Sequence, residues 1–153
     1  MKGSIALASD HGGYELKEDI KEYLAQEGYQ VQDLGPASQE SVDYPLFGSK
    51  IAELVSRGKV ERGVLICGTG IGMTIVANKY PNVCAALCHD QYTAFMSRRH
   101  NDANILVLGG RILGKGLARE VVKIWLETEF EGGRHSRRLE QIKDLEQRLG
   151  IKK

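Results

Sequence analysis

No stretch of this 153-residue chain approaches the ~18 uninterrupted apolar residues that a membrane-crossing helix requires. Met1-Lys2-Gly3 leads straight into a short apolar run, without the long apolar region and cleavage site of a secretory leader, so a cytosolic protein is expected. Cysteine is scarce and odd in number: Cys67, Cys84 and Cys88 make free thiols the expectation rather than a disulfide framework. An excess of either charge is also missing. With 21 Lys and Arg against 20 Asp and Glu, the net charge is +1, which argues against the long basic footprint of a general nucleic-acid binder. No internal repeat, low-complexity segment or linker divides the chain, and its length suits a single domain, residues 1–153, with a core that needs no disulfide or metal.

The even total hides an asymmetry. Residues 1–97 carry 8 basic and 12 acidic side chains and residues 98–153 carry 13 and 8, so the second part suits a small anionic ligand. Glycine is plentiful, 18 residues in all against a usual share of about 7%, which points to turns with specific tasks.

Hydrophobic periodicity alternates between two kinds. Residues 4–8, 29–34, 63–67, 83–87 and 104–108 read as strands; 14–26, 45–55, 71–79, 91–97, 113–130 and 136–149 read as helices. Leu16, Ile20, Tyr23 and Leu24 recur at helical spacing, and Pro45 suits a first helical turn. Strands that are apolar on both faces and separated by helices predict an α/β three-layer sandwich with a five-stranded parallel sheet. Such sheets bind ligands beyond the carboxyl ends of their strands. The last helix has no strand after it, so it either packs on the sheet or reaches a partner subunit.

Four segments carry candidate chemistry. After the first strand, Asp10-His11-Gly12-Gly13 sets a carboxylate and an imidazole at a helix entrance, where Asp10 is equally suited to cap the helix. After the third strand, Cys67-Gly68-Thr69-Gly70-Ile71-Gly72 places a thiol beside alternating glycines whose amides can converge on an oxyanion. No lysine completes a P-loop here, and the Asp10 to Gly13 spacing is not the G-x-G-x-x-G of dinucleotide folds. A thiol there is a usable base or nucleophile, although a strand-end cysteine is often only core filler. Arg98-Arg99-His100-Asn101-Asp102 offers a proton-transfer histidine in what is otherwise an ordinary polar loop. Arg134 and Arg138, four apart near the start of the last helix, can face one phosphate, or form a solvated basic turn. Cys84, Cys88 and His89 lack a fourth ligand at metal spacing, and Cys84 falls within the predicted fourth strand.

Taken together, Asp10 to Gly13, Val42-Asp43-Tyr44-Pro45, Ile66 to Gly72, Ala77-Asn78-Lys79, Ser97 to Asn104 and Glu131 to His135 resemble the ribose-5-phosphate isomerase B family, nearly end to end. The resemblance is to the branch with cysteine as base; Met73 stands where another branch carries glutamate, and Cys84 where members commonly carry arginine. It implies a Rossmann-like sheet of five parallel strands and interconversion of D-ribose 5-phosphate and D-ribulose 5-phosphate in the pentose phosphate pathway. It also implies a homodimer or dimer of dimers with shared sites, and no metal, cofactor, nucleic acid or membrane. By position, Cys67 would be the base, His100 the ring-opening acid/base, and Gly68, Thr69, Gly70, Ile71 and Gly72 the anion hole, with Thr69 supporting Cys67 or the substrate. Asp10, His11 and Asn101 would contact the sugar, Tyr44 would line the pocket, and Arg111, Arg134 and Arg138 would hold the phosphate. An allose- or galactose-6-phosphate isomerase and a non-catalytic sugar-phosphate-binding module remain alternatives on the same architecture.

Overall fold

Alternation of side chains along the strands builds two cores. In a computed structural model describing residues 2–150, β1 (Ser4–Ser9) sends Ile5 and Leu7 to one face and Ala6 and Ala8 to the other. Strand β3 (Arg62–Cys67) divides Val64 and Ile66 from Leu65 and Cys67, and β5 (Ile105–Gly109) divides Leu106 and Leu108 from Ile105 and Val107. Helices α1 (Tyr14–Gln26), α4 (Gln91–Arg99) and α5 (Lys115–Glu127) cover the first face; α2 (Tyr44–Ser56) and α3 (Ile71–Ala77) cover the second. In α5, Ala118, Val121, Val122 and Trp125 form one apolar stripe, fully buried. With β2 (Gln30–Asp33) and β4 (Ala85–Leu87) at the edges, the parallel strands run in the order β2-β1-β3-β5-β4. The three-layer arrangement expected from periodicity is therefore present, with the switch in winding direction between β1 and β3. Met1 of the opening Met1-Lys2-Gly3 lies outside the described residues.

The boundaries shift where side chains take over backbone partners. Strand β4 begins at Ala85, so Cys84 lies just before the strand and not within it: its N–H donates to Asn104 Oδ1 at 2.8 Å. Helix α3 stops at Ala77, where the Asn78 side chain bonds both the N–H and the carbonyl of Ala85 (2.9 and 3.0 Å). Helix α5 spans less than residues 113–130, because Thr128 turns extended at its end. The last helix, α6 (Arg134–Arg148), starts before residue 136, since Gly132 and Gly133 at φ 74° and 59° reverse the chain immediately ahead of it. It covers neither sheet face. His135 is its one buried residue, and Ile142, Leu145 and Leu149 are exposed. A groove of about 530 Å³ runs between α6 and the body, lined by Asn78, Cys84, Asn101, Asn104, Leu139 and Ile142 among others.

A buried cation ties β2 to α1. Lys17, fully enclosed, donates through Nζ to both oxygens of Asp33 and to Glu18 Oε2, all at 2.9 Å. Burial raises the Asp33 carboxyl, but Lys17, the Gly35 N–H and Lys21 outweigh it and leave the group below its ordinary 3.8. Because the folded state then binds this proton less readily than the unfolded chain, the contribution is present above about pH 4 and is lost as pH falls further. Lys17→Met is expected to cost about 1–3 kcal/mol at neutral pH, discounted for the partial exposure of Asp33, and to flatten the acid limb of a thermal-melting series from pH 5 to 2. An acid limb as steep as that of the wild type would show that the pair does not carry it.

Candidate active site

The loops after β1, β3 and β5 meet at the carboxyl end of the sheet. Asp10 is 8% exposed; its Oδ1 accepts from the Gly13 N–H at 3.0 Å, and its own N–H donates to Ile66 O at 3.1 Å. The helix-capping alternative for Asp10 is thus realised, on the short 3₁₀ turn His11–Gly13 that precedes α1. A Cβ added to Gly12 would meet Asp10 Oδ1, Gly68 N and Arg111 Nη2 at 3.3–3.4 Å, so these three groups surround one point. Arg111 is fixed there by its N–H, which donates to Gly68 O at 2.9 Å, while the neighbouring Gly110 N–H donates to Cys67 O at 2.7 Å.

Cys67 ends β3, 4% exposed, and its Sγ accepts the Gly70 N–H at 3.2 Å. That amide faces the sulfur and would solvate negative charge on it, so it is not directed at a ligand as a simple anion hole would require. Thr69 is exposed, and its Oγ1 accepts from the Ile71 N–H at 3.3 Å. Gly70 has φ 83°, and a Cβ there would collide with Leu87 and the Leu108 carbonyl; the turn that aims this amide at sulfur admits no side chain. Gly72 is required for another reason: its Cβ would lie 2.5 Å from Tyr44 Cε1, so the Tyr44 ring stands directly over the start of α3. His11 is latched nearby. Its Nδ1 lies 3.1 Å from the Val42 amide nitrogen and 3.2 Å from the Val42 carbonyl oxygen, so one tautomer accepts from the N–H and the other donates to the carbonyl.

The remaining candidates lie elsewhere. Helix α4 runs from the carboxyl end of β4 back to the amino end of β5, and His100 caps its final turn. Cys67 pairs in register with Gly109, four residues along β5 from Ile105, a rise of about 13 Å. His100 and Asn101 therefore lie at the amino end of the strands, opposite to the carboxyl end that holds Cys67. There the Glu131 N–H donates to Arg99 O at 3.0 Å, which brings Arg134 and Arg138 at the start of α6 to the His100 side. Both arginines are exposed, and among the described residues neither pairs with a carboxylate. The candidate residues thus fall into two groups: Asp10, His11, Tyr44, Cys67 with its glycine turn, and Arg111 at one end of the sheet; His100, Asn101, Arg134 and Arg138 at the other.

The ribose/galactose isomerase family model matches residues 5–142. The chain belongs to that family. Ribose-5-phosphate isomerase B of Escherichia coli (strain K12) is 45% identical over 144 residues, covering 94% of this chain and 97% of that protein. The structure of ribose-5-phosphate isomerase B from Clostridium thermocellum superposes with a TM-score of 0.93 at 51% identity, covering 95% of this chain and 99% of that one. That of the Mycoplasma genitalium enzyme with bound ribulose-5-phosphate gives 0.91 at 40% identity, covering 96% and 98%.

In this member of the ribose/galactose isomerase family, two further residues, Glu131 and His135, stand beside His100. Glu131 and His135 flank the glycines of the resembling segment, and only their spacing of four hints that they meet across the start of α6. Their ligand atoms and that of His100 lie within 4.8 Å of one another, a separation that fits a metal ion. The charge does not favour one: Glu131 is the single carboxylate and already faces Arg99 at 3.4 Å, with Arg134 and Arg138 close by. Cys84 and Cys88 join no such cluster; burial pushes both thiols up. No described helix is long and apolar enough to cross a membrane.

Proposed function

We propose that this chain is an aldose-ketose isomerase that interconverts D-ribose 5-phosphate and D-ribulose 5-phosphate, working as a homodimer whose sites combine the carboxyl-end half of one subunit with the His100 half of the other. The observation that carries the substrate is the 40% identical Mycoplasma genitalium relative, which holds ribulose-5-phosphate on the same fold over nearly the full length of both chains. The two groups of residues at opposite ends of the strands support the shared arrangement, because a second copy would bring a histidine suited to proton transfer and two arginines to Cys67. The exposed apolar positions on α3 and α6, Ile71, Ile75, Ile142 and Leu145, give such a partner surface to cover.

Each chemical step has a residue. His100 gives a proton to the furanose ring oxygen as the bond from that oxygen to C1 breaks; the C1 hydroxyl loses its proton to water and becomes the aldehyde. Cys67 as thiolate takes the proton from C2 and returns it to C1, and a proton moves from the C2 hydroxyl to O1, completing the ketose. Main-chain N–H groups of the turn from Gly68 to Gly72 would hold the enediolate, Gly70 acting through the sulfur. Asp10, His11 and Asn101 would position sugar hydroxyls, and Arg111, Arg134 and Arg138 the phosphate. The sequence involves proton transfers alone and calls for no redox cofactor.

Comparison of kcat/KM for ribose 5-phosphate with those for allose 6-phosphate and galactose 6-phosphate tests the assignment. The five-carbon sugar is expected to be favoured by about tenfold or more, the discrimination that one extra carbon with its hydroxyl can bring. Preference for a six-carbon sugar would overturn the pentose assignment; absence of turnover on all three would favour a binding module.

A further inference from the structure

A surface histidine that must protonate a sugar ring needs its ring plane held, and His100 has such a support. Its side chain is 36% exposed and hydrogen bonds fix only its backbone, yet the imidazole stacks on that of His135, centroids 4.0 Å apart and planes 14° from parallel. His135 is 4% exposed and sits in the first turn of α6, so it forms a rigid plate rather than a second mobile ring. Glu131 joins the two. Its Oε2 lies 3.1 Å from His135 Nε2 and 3.8 Å from His100 Nε2, and its other oxygen faces Arg99 at 3.4 Å. His135 Nε2 is buried without a well-directed hydrogen bond, and the Glu131 carboxylate 3.1 Å away is an acceptor that a modest shift would engage.

We propose that Glu131 and His135 are positioning residues for His100, fixing its ring plane and presenting one carboxylate to both imidazoles, so that the histidine meets the furanose oxygen ready for ring opening. Burial, reinforced by the nearby His100, Arg134 and Arg138 and opposed by Glu131, pushes the His135 imidazole down. The inference rests on the assignment of ring opening to His100. It deepens that assignment by giving tasks to the two residues of the Glu131 to His135 segment that no sugar or phosphate contact uses.

The chemistry supplies a separating assay. Ribose 5-phosphate is a closed furanose, whereas ribulose 5-phosphate, with its 5-oxygen phosphorylated, is open-chain. Isomerisation of the aldose needs ring opening; exchange of a C1 hydrogen of the ketose with deuterated water needs Cys67 but no ring opening. In the full-length protein, His135→Ala is expected to lower kcat on ribose 5-phosphate about tenfold while leaving deuterium exchange into ribulose 5-phosphate within about twofold. His135→Phe, which keeps a flat buried ring, is expected to restore kcat to within about threefold and also serves if the alanine variant does not fold. Glu131→Gln is expected to show the same split as His135→Ala. Equal losses in both assays, unchanged aldose turnover, or a phenylalanine variant no better than alanine would overturn the proposal. His100→Gln separates the two levels: if it fails to show the split, the His100 assignment itself falls; if it shows the split and the Glu131 and His135 variants do not, only the positioning role falls.

Discussion

Replacement of Cys67 by alanine is expected to lower kcat on ribose 5-phosphate by about 10²–10⁴-fold, the usual range for losing a proton-transfer group. The reason is local. Sγ stands at the end of β3 facing the glycine turn, and the Gly70 N–H is directed at it. The fold should tolerate the change, because Cys67 packs among Ala8, Leu65 and Met73 and alanine leaves only a small gap. Serine should not rescue turnover: it supplies a hydroxyl of much higher pKa in nearly the same place. A coupled assay, with thermal melting and sedimentation to establish that the variant remains folded and associated, checks this. Turnover within a few-fold of the wild type would remove Cys67 from the chemistry.

The second large effect is a recovery. Cys67→Ala and His100→Gln variants are each expected to have both sites of the dimer crippled. When they are mixed, dissociated and reassociated, random pairing makes half the dimers heterodimers, each with one doubly altered site and one site free of both changes. Activity is therefore expected to rise from near background to about one quarter of the wild-type value. Sites built within a single chain would show no recovery, and the topology already argues against them: His100 lies at the amino end of β5, while Cys67 aligns with Gly109 at its carboxyl end.

Much of the fold was legible because its causes are local. Apolar runs bounded by turns marked the central strands β1, β3 and β5, whose sequence separation by helices required parallel pairing. The helical span 14–26 coincides with α1, since Leu16, Ile20 and Leu24 repeat at helical spacing and Gly28, at φ 91°, ends the run. Edges were less legible. Cys84 belongs to no ladder because an asparagine 20 residues away takes its N–H, a contact that no local pattern announces. Lys17 reads as an ordinary helix-surface lysine until β2 brings Asp33 beside it.

The same division runs through the site. The glycine turn carries its signature in adjacent residues, since closing a tight loop against Leu87 and Leu108 restricts the residue types allowed there. Residue types and spacing alone thus determined the layered architecture, the thiol beside the turn, and the positive charge of the second part of the chain. Tertiary structure decided which end of the sheet each group occupies, that the Gly70 amide serves sulfur, and that Glu131 and His135 gather around His100. Those outcomes depend on the direction in which helices return and on contacts between residues far apart in the chain, which composition and periodicity do not encode.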